Sequence, residues 1–341
     1  MSESQTGGNS TAAAATTSIA DAASIRALPI PATVSPQMQK LIGAPANPIW
    51  KARPKTEEEW KALVQASAAA AIGRLPAMCE RLRVKFERTA IEGVRAFVVT
   101  PDVLAPRNRD RLLLHFHGGC YVLGPGEAGL PEAIIMAGFG RFQVISVDYR
   151  MPPEAYFPAA VDDIVAVWRT LAKTRDPGKM AAFGASAGGA LTLALILRAK
   201  QEGLPLPAAI ASGTPMADTT KTGDTFYASE LLDNVLVSRD GFCDAATRFY
   251  ADGHDLADPL LSPVYGDFQG FPPTILTTGT RDLLLSNTVR VHRKLRQAGV
   301  EAALHVYEGQ SHAHYLFDDT APETAEAFGE IAAFFEERLA A

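Results

Sequence analysis

At 341 residues, of which 47% are hydrophobic and 21% charged, the chain is long and apolar enough for one large domain with an accessory segment. The formal net charge is −6 and the 32 basic residues are scattered, which excludes the clustered basic surface of a nucleic-acid-binding protein. We find no run of about 18 apolar residues, and we therefore expect no membrane-spanning segment.

The cysteines and the N-terminus bear on the cellular compartment. Cys79, Cys120 and Cys243 are odd in number and far apart, which argues against a disulfide framework and favours a reducing compartment. Residues 1–25 are rich in Ser, Thr, Ala and Gly and lack the basic start of a secretory signal, so they predict a disordered tail. Both observations favour a cytoplasmic protein.

Helical patterns open the structured part of the chain. Ser35 is a suitable N-cap and Pro36 suits the first helical position, so a helix is predicted from there. Thr56 and Glu59 have the spacing of a capping box, and the alanine-rich run that follows favours helix to about Arg74. We assign residues 26–80 to an N-terminal helical segment.

The pattern then changes to strands. Two alternating segments that meet at Glu92 and Gly93 predict an antiparallel pair. Short apolar runs, from "RLLLHF" and "FQVISVDY" to "EAALHVYEG", then alternate with helical patterns up to a final amphipathic helix. This alternation predicts an α/β fold with a mostly parallel sheet covered by helices on both faces, over residues 81–215 and 256–341.

Two segments stand outside the alternation, namely residues 26–80 and 216–255. Both contain helical patterns with amphipathic and aromatic content. We predict that these cap segments pack together over the carboxyl edge of the sheet, where open α/β sheets bind ligands.

The stretch "KMAAFGASAGGAL" has the form of a strand, a sharp turn and a helix, and it contains the pattern G-x-S-x-G around Ser186. Small neighbours allow a strand to break directly into a helix, which would hold Ser186 above the sheet edge as a nucleophile. For the bare motif, a helix start with a capping serine is an equal alternative. The flanking strand and helix favour the nucleophile.

A serine hydroxyl needs a base and an orienting acid before it can attack. His312 follows the last predicted strand, where it can reach Ser186, and His314 is its rival. Asp282 follows the preceding strand, and the order Ser186, Asp282, His312 is that of α/β-hydrolases. Two other aspartates lie inside a helix pattern and are assigned to its solvated face or cap: Asp162 and Asp163.

Taken together, these motifs resemble the hormone-sensitive-lipase-like family of α/β-hydrolase esterases, the bacterial family IV carboxylesterases, over about residues 80–340. The stretches that carry the resemblance are "HFHGGCY", "VDYRMPPEAYFPAAVDD", "GASAGG", "DPLLSPVYGDFQGFPPTIL" and "YEGQSHAH". The resemblance implies Ser186 as nucleophile, His312 as general base and then acid, and Asp282 as the group that orients it. It also implies an oxyanion hole of backbone N–H groups at Gly118, Gly119, Cys120 and Ala187.

Three departures from the family pattern stand out. Cys120 replaces the third glycine of the His-Gly-Gly-Gly element. Ala185 replaces the acidic or threonine residue that precedes the nucleophile in most members, so a supporting hydrogen bond is expected to be missing. "TRDLLLSN" lacks the Asp-Pro-Leu form usual around the acid.

The implied activity is a serine carboxylesterase that acts on short- to medium-chain acyl esters through an acyl-enzyme. The partner is then a small-molecule ester, with no cofactor and no metal, and the resemblance also suggests a homodimer. A lactone, carbamate or amide hydrolase on the same triad stays open.

A non-catalytic receptor, as in the plant gibberellin receptors, is disfavoured because His312 is retained. A thiol or metal enzyme centred on residues 115–120 is disfavoured because no cysteine or carboxylate cluster completes a ligand set.

Overall fold

Eight strands form the sheet that organises residues 28–340, the part of the chain described by the computed structural model. In chain order they are β1 (Val84–Ile91), β2 (Val94–Pro101), β3 (Leu112–Phe116), β4 (Gln143–Val147), β5 (Met180–Ala185), β6 (Ala209–Gly213), β7 (Thr274–Gly279) and β8 (Ala302–Tyr307). The order across the sheet is β1-β2-β4-β3-β5-β6-β7-β8. The β1–β2 and β2–β4 pairs are antiparallel and all others are parallel, which confirms the mostly parallel sheet. The predicted tail, residues 1–25, lies outside the described residues.

The α-helices within residues 28–340 are α1 (Pro36–Ile42), α2 (Glu57–Ile72), α3 (Leu75–Leu82), α4 (Pro131–Gly140), α5 (Ala159–Thr174), α6 (Ala187–Gln201), α7 (Thr225–Ala228), α8 (Asp244–Ala251), α9 (Leu285–Gln297) and α10 (Pro322–Arg338). Helix α2 begins as predicted, because the Thr56 hydroxyl accepts a hydrogen bond from the Glu59 N–H at 3.3 Å. The Glu59 carboxylate reaches back one residue further than a capping box requires and accepts from the Lys55 N–H.

Both faces of the sheet are buried, which explains the unbroken apolar runs. Successive side chains of a strand point to opposite faces. On β3, Leu112 and Leu114 pack in the same core cluster as Trp168 of α5. Leu113 joins the opposite cluster with Phe328 of α10. The predicted α/β architecture with helices on both faces is therefore confirmed.

One of the two aspartates assigned to a solvated helix face is in fact buried. Asp162 on α5 is exposed, but Asp163 is only 5% exposed. Its carboxylate accepts hydrogen bonds from both the backbone N–H and the guanidinium of Arg150. The prediction failed for Asp163 because its ion-pair partner lies outside the helix, in the loop after β4, where helical periodicity carries no information.

The two cap segments contact each other. The ring of Trp60 on α2 stacks on Phe249 of α8 with centroids 4.6 Å apart. The Asn47 N–H donates to the carbonyl oxygen of Asn234 at 2.8 Å. Residues from both segments also lie at the carboxyl edge of the sheet, beside the cavity described below.

The stretch Glu57–Leu82, which spans α2 and α3, is long and apolar enough by length and composition to cross a membrane. Its apolar character comes largely from alanine, and Gly73 and Arg74 separate the two helices. One such stretch is weak evidence for a membrane segment, and Trp60, which packs against the second cap segment, is the only buried residue of α2.

Candidate active site

Ser186 alone makes the turn between β5 and α6. Its backbone lies at φ 60° and ψ −121°, a region that costs a residue with a side chain about 1–3 kcal/mol. The Ser186 N–H donates to the carbonyl oxygen of Gly213 at 2.9 Å, which helps to hold the strained turn. The Ser186 side chain makes no capping hydrogen bond to α6, so the alternative of a capping serine does not describe this turn.

The glycines of the motif are required by the close approach of β3. A Cβ atom on Gly188 would lie 1.8 Å from the carbonyl oxygen of Phe116, the last residue of β3. The same atom on Gly184 would lie 2.2 Å from that oxygen. Because neither position tolerates a side chain, the end of β3 and the loop that follows it lie directly against Ser186.

This loop contains the predicted oxyanion residues. A Cβ atom on Gly118 would lie 3.2 Å from the Cβ of Ser186, so the two backbones are in close proximity. Within residues 28–340, the amides of Gly119 and Cys120 donate no hydrogen bond. The amide of Ala187 is the first of α6, where a helix supplies no acceptor of its own. Unengaged N–H groups beside a nucleophile can bind a developing oxyanion.

His117 anchors the loop. Its ring stacks on Tyr149 with centroids 4.3 Å apart, and its Nδ1 lies 2.8 Å from the carbonyl oxygen of Gly118. The Tyr149 hydroxyl donates to the His117 carbonyl oxygen at 2.7 Å. Burial lowers the pKa of His117 to about 4, so this ring is neutral at pH 7 and acts as a structural group.

On the other side of Ser186, the structure brings His312 and Asp282 together. Asp282 follows β7 and His312 follows β8, and these parallel neighbours end at the same edge of the sheet. His312 Nδ1 lies 3.1 Å from Asp282 Oδ1, and both side chains are buried. Ser186 and His312 line the same cavity. No hydrogen bond joins their side chains among the described residues, and catalytic hydrogen bonds of this kind often tighten only when substrate binds.

The rival histidine is placed differently. Ala313 adopts a left-handed backbone conformation at φ 56°, which starts a short 3-10 turn at His314–Leu316. His314 Nδ1 accepts a hydrogen bond from the Ser311 N–H at 3.2 Å rather than pairing with Asp282. Burial lowers the pKa of His314 to about 4. His312 is therefore the histidine that the structure sets against the acid.

The charges of this pair stabilise each other. Burial alone would raise the pKa of Asp282, but the charge of His312 and hydrogen bonds from His312, Thr214 and the Leu284 N–H lower it below its ordinary value. Burial alone would lower the pKa of His312, but the charge and hydrogen bond of Asp282 raise it above 6.5. An imidazole with a raised pKa and a fixed Nδ1 contact is suited to accept a proton at Nε2.

Thr214 is a site residue that the sequence reasoning missed. Its hydroxyl donates to Asp282 Oδ2 and lies 3.0 Å from His312 Nδ1. A second hydroxyl, from Thr278, donates to the same carboxylate oxygen at 2.9 Å. Thr214 directly follows β6. Its position at the carboxyl end of a parallel strand is the only feature of the sequence that could have indicated it.

Behind Ser186, a buried carboxylate supports the backbone. Glu132 Oε2 accepts a hydrogen bond from the Ala185 N–H at 3.1 Å and lies 3.2 Å from His115 Nε2. His115 Nδ1 in turn lies 2.9 Å from the Ser146 hydroxyl. Ala185 thus gains through its amide a support that its methyl side chain cannot provide.

A cavity of about 390 Å³ opens at Ser186. Its walls come from the turn at Ser186, the glycine-rich loop after β3, the loop after β8 that contains His312, and both cap segments. Lining residues include Trp50, Ala68, Ala71, Ser186, Cys120, Phe242, His312 and Phe317. Arg74 is the only Lys, Arg, Asp or Glu side chain among the described lining residues. Cys120 Sγ lies 3.7 Å from Cys243 Sγ at this wall. The arrangement fits an uncharged, largely apolar substrate with one reactive centre beside Ser186.

The residues from 28 to 340 include no group of three or more His, Cys, Asp or Glu side chains arranged to hold a metal ion. His115 and His117 belong to separate contacts, with Glu132 and with Tyr149 respectively.

Comparison with known proteins yields matches over most of the chain. Residues 113–316 match a family model described as alpha/beta hydrolase fold. An esterase of Acinetobacter venetianus is 29% identical over 74% of this chain and 82% of the relative. An acetyl-hydrolase of Streptomyces hygroscopicus is 30% identical over 69% of this chain and 79% of the relative.

Solved structures agree with these relatives. The crystal structure of an esterase E25 shares 45% sequence identity with a TM-score of 0.89, covering 92% of this chain and 98% of that one. The crystal structure of an esterase from the bacterial hormone-sensitive lipase family shares 27% identity with a TM-score of 0.76, covering 90% of this chain and 99% of that one.

Proposed function

The chain belongs to the hormone-sensitive-lipase-like carboxylesterases of the α/β-hydrolase superfamily and is a carboxylic ester hydrolase; on this premise, we propose that it works through an acyl-enzyme on Ser186. The observation that carries the proposal is the contact of His312 with Asp282 at the wall of the cavity that Ser186 lines. In this proposal His312 is the general base and then acid, and Asp282 orients it.

The first half of the reaction forms the acyl-enzyme. Ser186 Oγ attacks the ester carbonyl carbon while His312 Nε2 takes the hydroxyl proton. The carbonyl oxygen becomes an oxyanion and is bound by the amides of the loop at Gly118, Gly119 and Cys120 and by that of Ala187. Collapse of the tetrahedral intermediate breaks the bond to the alcohol oxygen, which receives the proton from His312.

The second half regenerates the enzyme. Water attacks the acyl carbon, His312 takes a proton from it, and the same amides bind the second oxyanion. The carboxylic acid leaves as the proton returns to Ser186 Oγ. Throughout, Asp282 holds the Nδ1 side of the ring, so that Nε2 faces the reacting atoms.

We further propose short- to medium-chain acyl esters as substrates. A cavity of about 390 Å³ with Trp50, Phe242 and Phe317 in its walls suits a small apolar acyl group and an apolar alcohol. The similarity to an acetyl-hydrolase of Streptomyces hygroscopicus supports short acyl groups. In a series of p-nitrophenyl esters, kcat/KM is expected to be highest for short and medium chains. A maximum at a long-chain ester would contradict this substrate range.

The test of the nucleophile uses Ser186→Ala together with a fluorophosphonate that labels activated serines. Wild-type protein is expected to hydrolyse p-nitrophenyl butyrate and to take one label at Ser186, whereas Ser186→Ala does neither. Undiminished hydrolysis by pure Ser186→Ala protein would refute the assignment.

The test of the base has a matched control two residues away. His312→Gln is expected to abolish both hydrolysis and labelling, whereas His314→Gln retains them, because only His312 contacts Asp282. Loss of activity in the His314 variant with retention in the His312 variant would reverse the assignment.

A further inference from the structure

Asp233, in the second cap segment, is a fully buried carboxylate that contacts both loops of the catalytic pair. Its Oδ2 accepts hydrogen bonds from the Leu283 N–H at 2.8 Å and from the His312 N–H at 3.1 Å. Leu283 directly follows Asp282. Asp233 Oδ2 therefore joins the loop after β7 that contains Asp282 (the acid loop) to the loop after β8 that contains His312 (the base loop).

The other carboxylate oxygen holds the cap itself. Asp233 Oδ1 accepts from the Val235 N–H at 2.8 Å and from the Leu236 N–H at 3.0 Å. Val235 and Leu236 line the cavity. The same side chain thus fixes a turn of the cavity wall and the two loops below it.

The neighbouring residue extends this connection to the N-terminal cap segment. The Asn234 N–H donates to the Ser311 hydroxyl at 3.2 Å, next to the base. Its side-chain amide donates to the carbonyl oxygens of Leu41 and Ala44 at 2.9 Å and 3.0 Å. The turn around Asp233 is therefore held by both cap segments and by the catalytic domain.

The negative charge of Asp233 has no Lys or Arg partner among the described residues and is compensated by four backbone N–H groups. Burial and then the nearby charge of Asp282 raise the pKa of Asp233 to about 6, so it is ionised at pH 7. The negative charge of Asp233 also contributes to the raised pKa of His312. Other titratable groups that act on His312 or Asp233 are Asp282, Cys243 and His314.

We propose that Asp233 is a positioning residue of the esterase: its carboxylate sets the acid loop and the base loop relative to each other and adds a second negative charge behind the His312 imidazolium. The cap therefore takes part in catalysis through the geometry and charge of the base, in addition to forming the cavity wall. This inference rests on the proposed roles of His312 and Asp282.

The test is Asp233→Asn, which preserves the shape of the side chain. An amide can accept from only one of the two N–H pairs and sets its own NH₂ group against the other pair. Either the two catalytic loops or the Val235–Leu236 turn above them therefore loses its acceptor, and both outcomes shift the loops relative to the cap. We expect kcat to fall about 10- to 100-fold, as for a small misplacement of a catalytic group, with little change in KM. The acid limb of kcat/KM is expected to move to lower pH, because the imidazolium loses a stabilising negative charge.

The matched control is Asp163→Asn, which also removes a buried carboxylate but lies on α5 and pairs with Arg150. It is expected to lower the thermal unfolding temperature without moving the acid limb. If Asp233→Asn lowers stability as the control does but leaves kcat and the acid limb as in wild-type protein, Asp233 is merely structural and the proposal is wrong.

Two further variants keep the outcomes distinct. If Asp233→Asn does not fold, Asp233→Glu is measured instead: it keeps the charge, so the acid limb should stay in place while kcat falls because the longer side chain shifts the loops. Wild-type kcat in folded Asp233→Glu would contradict the positioning role. Retained hydrolysis in Ser186→Ala would instead refute the triad on which the inference rests.

Discussion

The side of Ser186 that faces the glycine-rich loop is built from backbone atoms, whereas the side that faces His312 is built from side chains. On the first side, the groups available for an oxyanion are the amides of residues 118–120 and of Ala187. On the second side, His312, Asp282 and Thr214 contact one another through specific side-chain atoms. A substitution in the loop at residues 118–120 therefore changes mainly the space that the side chain fills. A substitution of His312, Asp282 or Thr214 removes a side-chain group that the proposed reaction uses.

The two sides of Ser186 also differ in how the rest of the protein holds their loops in place. The loop after β3 is anchored within the catalytic domain by His117 and Tyr149, and among the described residues it touches the second cap segment through side chains only, Cys120 with Cys243 and Tyr121 with Tyr250. On the side of His312 the cap reaches the backbone, because Asp233 accepts hydrogen bonds from the amides of Leu283 and His312. A change at Asp233 is therefore expected to affect the base more than the oxyanion loop. Substitutions on the two sides of Ser186, together with the pH dependence of kcat/KM, test the contrast between the backbone side and the side-chain side.

The largest effect is expected for Asp282→Asn. The amide cannot stabilise the charged imidazolium and favours the wrong ring tautomer, so kcat should fall about 10,000-fold, as for the same change in other serine-hydrolase triads. Steady-state hydrolysis of p-nitrophenyl butyrate measures this, with Asp162→Asn on the exposed face of α5 as the control. A loss below about tenfold would show that Asp282 is not the orienting acid.

A smaller loss is expected for Thr214→Val, which keeps the shape but removes the hydroxyl shared by Asp282 and His312. We expect kcat/KM to fall about tenfold and stability to fall by about 1–3 kcal/mol, since a buried acceptor loses a donor. Thr278→Val is the matched comparison, because its hydroxyl contacts only Asp282. If Thr278→Val lost more activity than Thr214→Val, the contact with His312 would be unimportant.

The pH dependence of kcat/KM tests the charge on the base side. His312 must be neutral to accept the Ser186 proton, and its pKa is raised by Asp282 and Asp233 against the effect of burial. Activity is therefore expected to be lost as pH falls through a value above 6.5, about tenfold per pH unit. An acid limb at or below 6.5 would mean that these charges do not control the base.

The smallest effect is expected for Cys120→Ala. The proposed donor at this position is the backbone N–H, so kcat/KM should stay within about threefold of wild-type, whereas a lost oxyanion donor costs at least about 100-fold. The pKa of Cys120 is raised by its hydrogen bond with Cys243 and by burial, which also argues against a reactive thiolate. A 100-fold loss in this variant would mean that the sulfur itself is needed.

The sequence predicted the parts of the site that follow from local patterns. The turn at Ser186 was predicted because a strand, a tight turn and a helix must follow one another within a few residues, and its role as nucleophile stays a prediction. His312 and Asp282 were predicted because each follows its own strand in the order expected of the fold. The structure places their side chains 3.1 Å apart, and their catalytic roles stay predictions. The sheet followed from the alternation of apolar runs with helical patterns.

The supporting groups were not predicted, because their contacts join distant parts of the chain. Asp233 is 79 residues from His312 in sequence and lies in an irregular segment without periodicity. Glu132 reaches the Ala185 amide from a helix 53 residues earlier. Thr214 carried only a weak signal, its position after a strand. Such contacts become visible only when the strands have been placed in their order across the sheet.

The most direct test of the proposed acyl-enzyme mechanism is a crystal structure of the protein after reaction with a small alkyl fluorophosphonate. We expect a phosphonyl group on Ser186 Oγ, with its oxygen within hydrogen-bond distance of the loop amides at residues 118–120 and of the Ala187 amide, and with His312 Nε2 facing the adduct. A phosphonyl group on another residue, or an oxygen directed away from the loop towards side-chain donors, would contradict it.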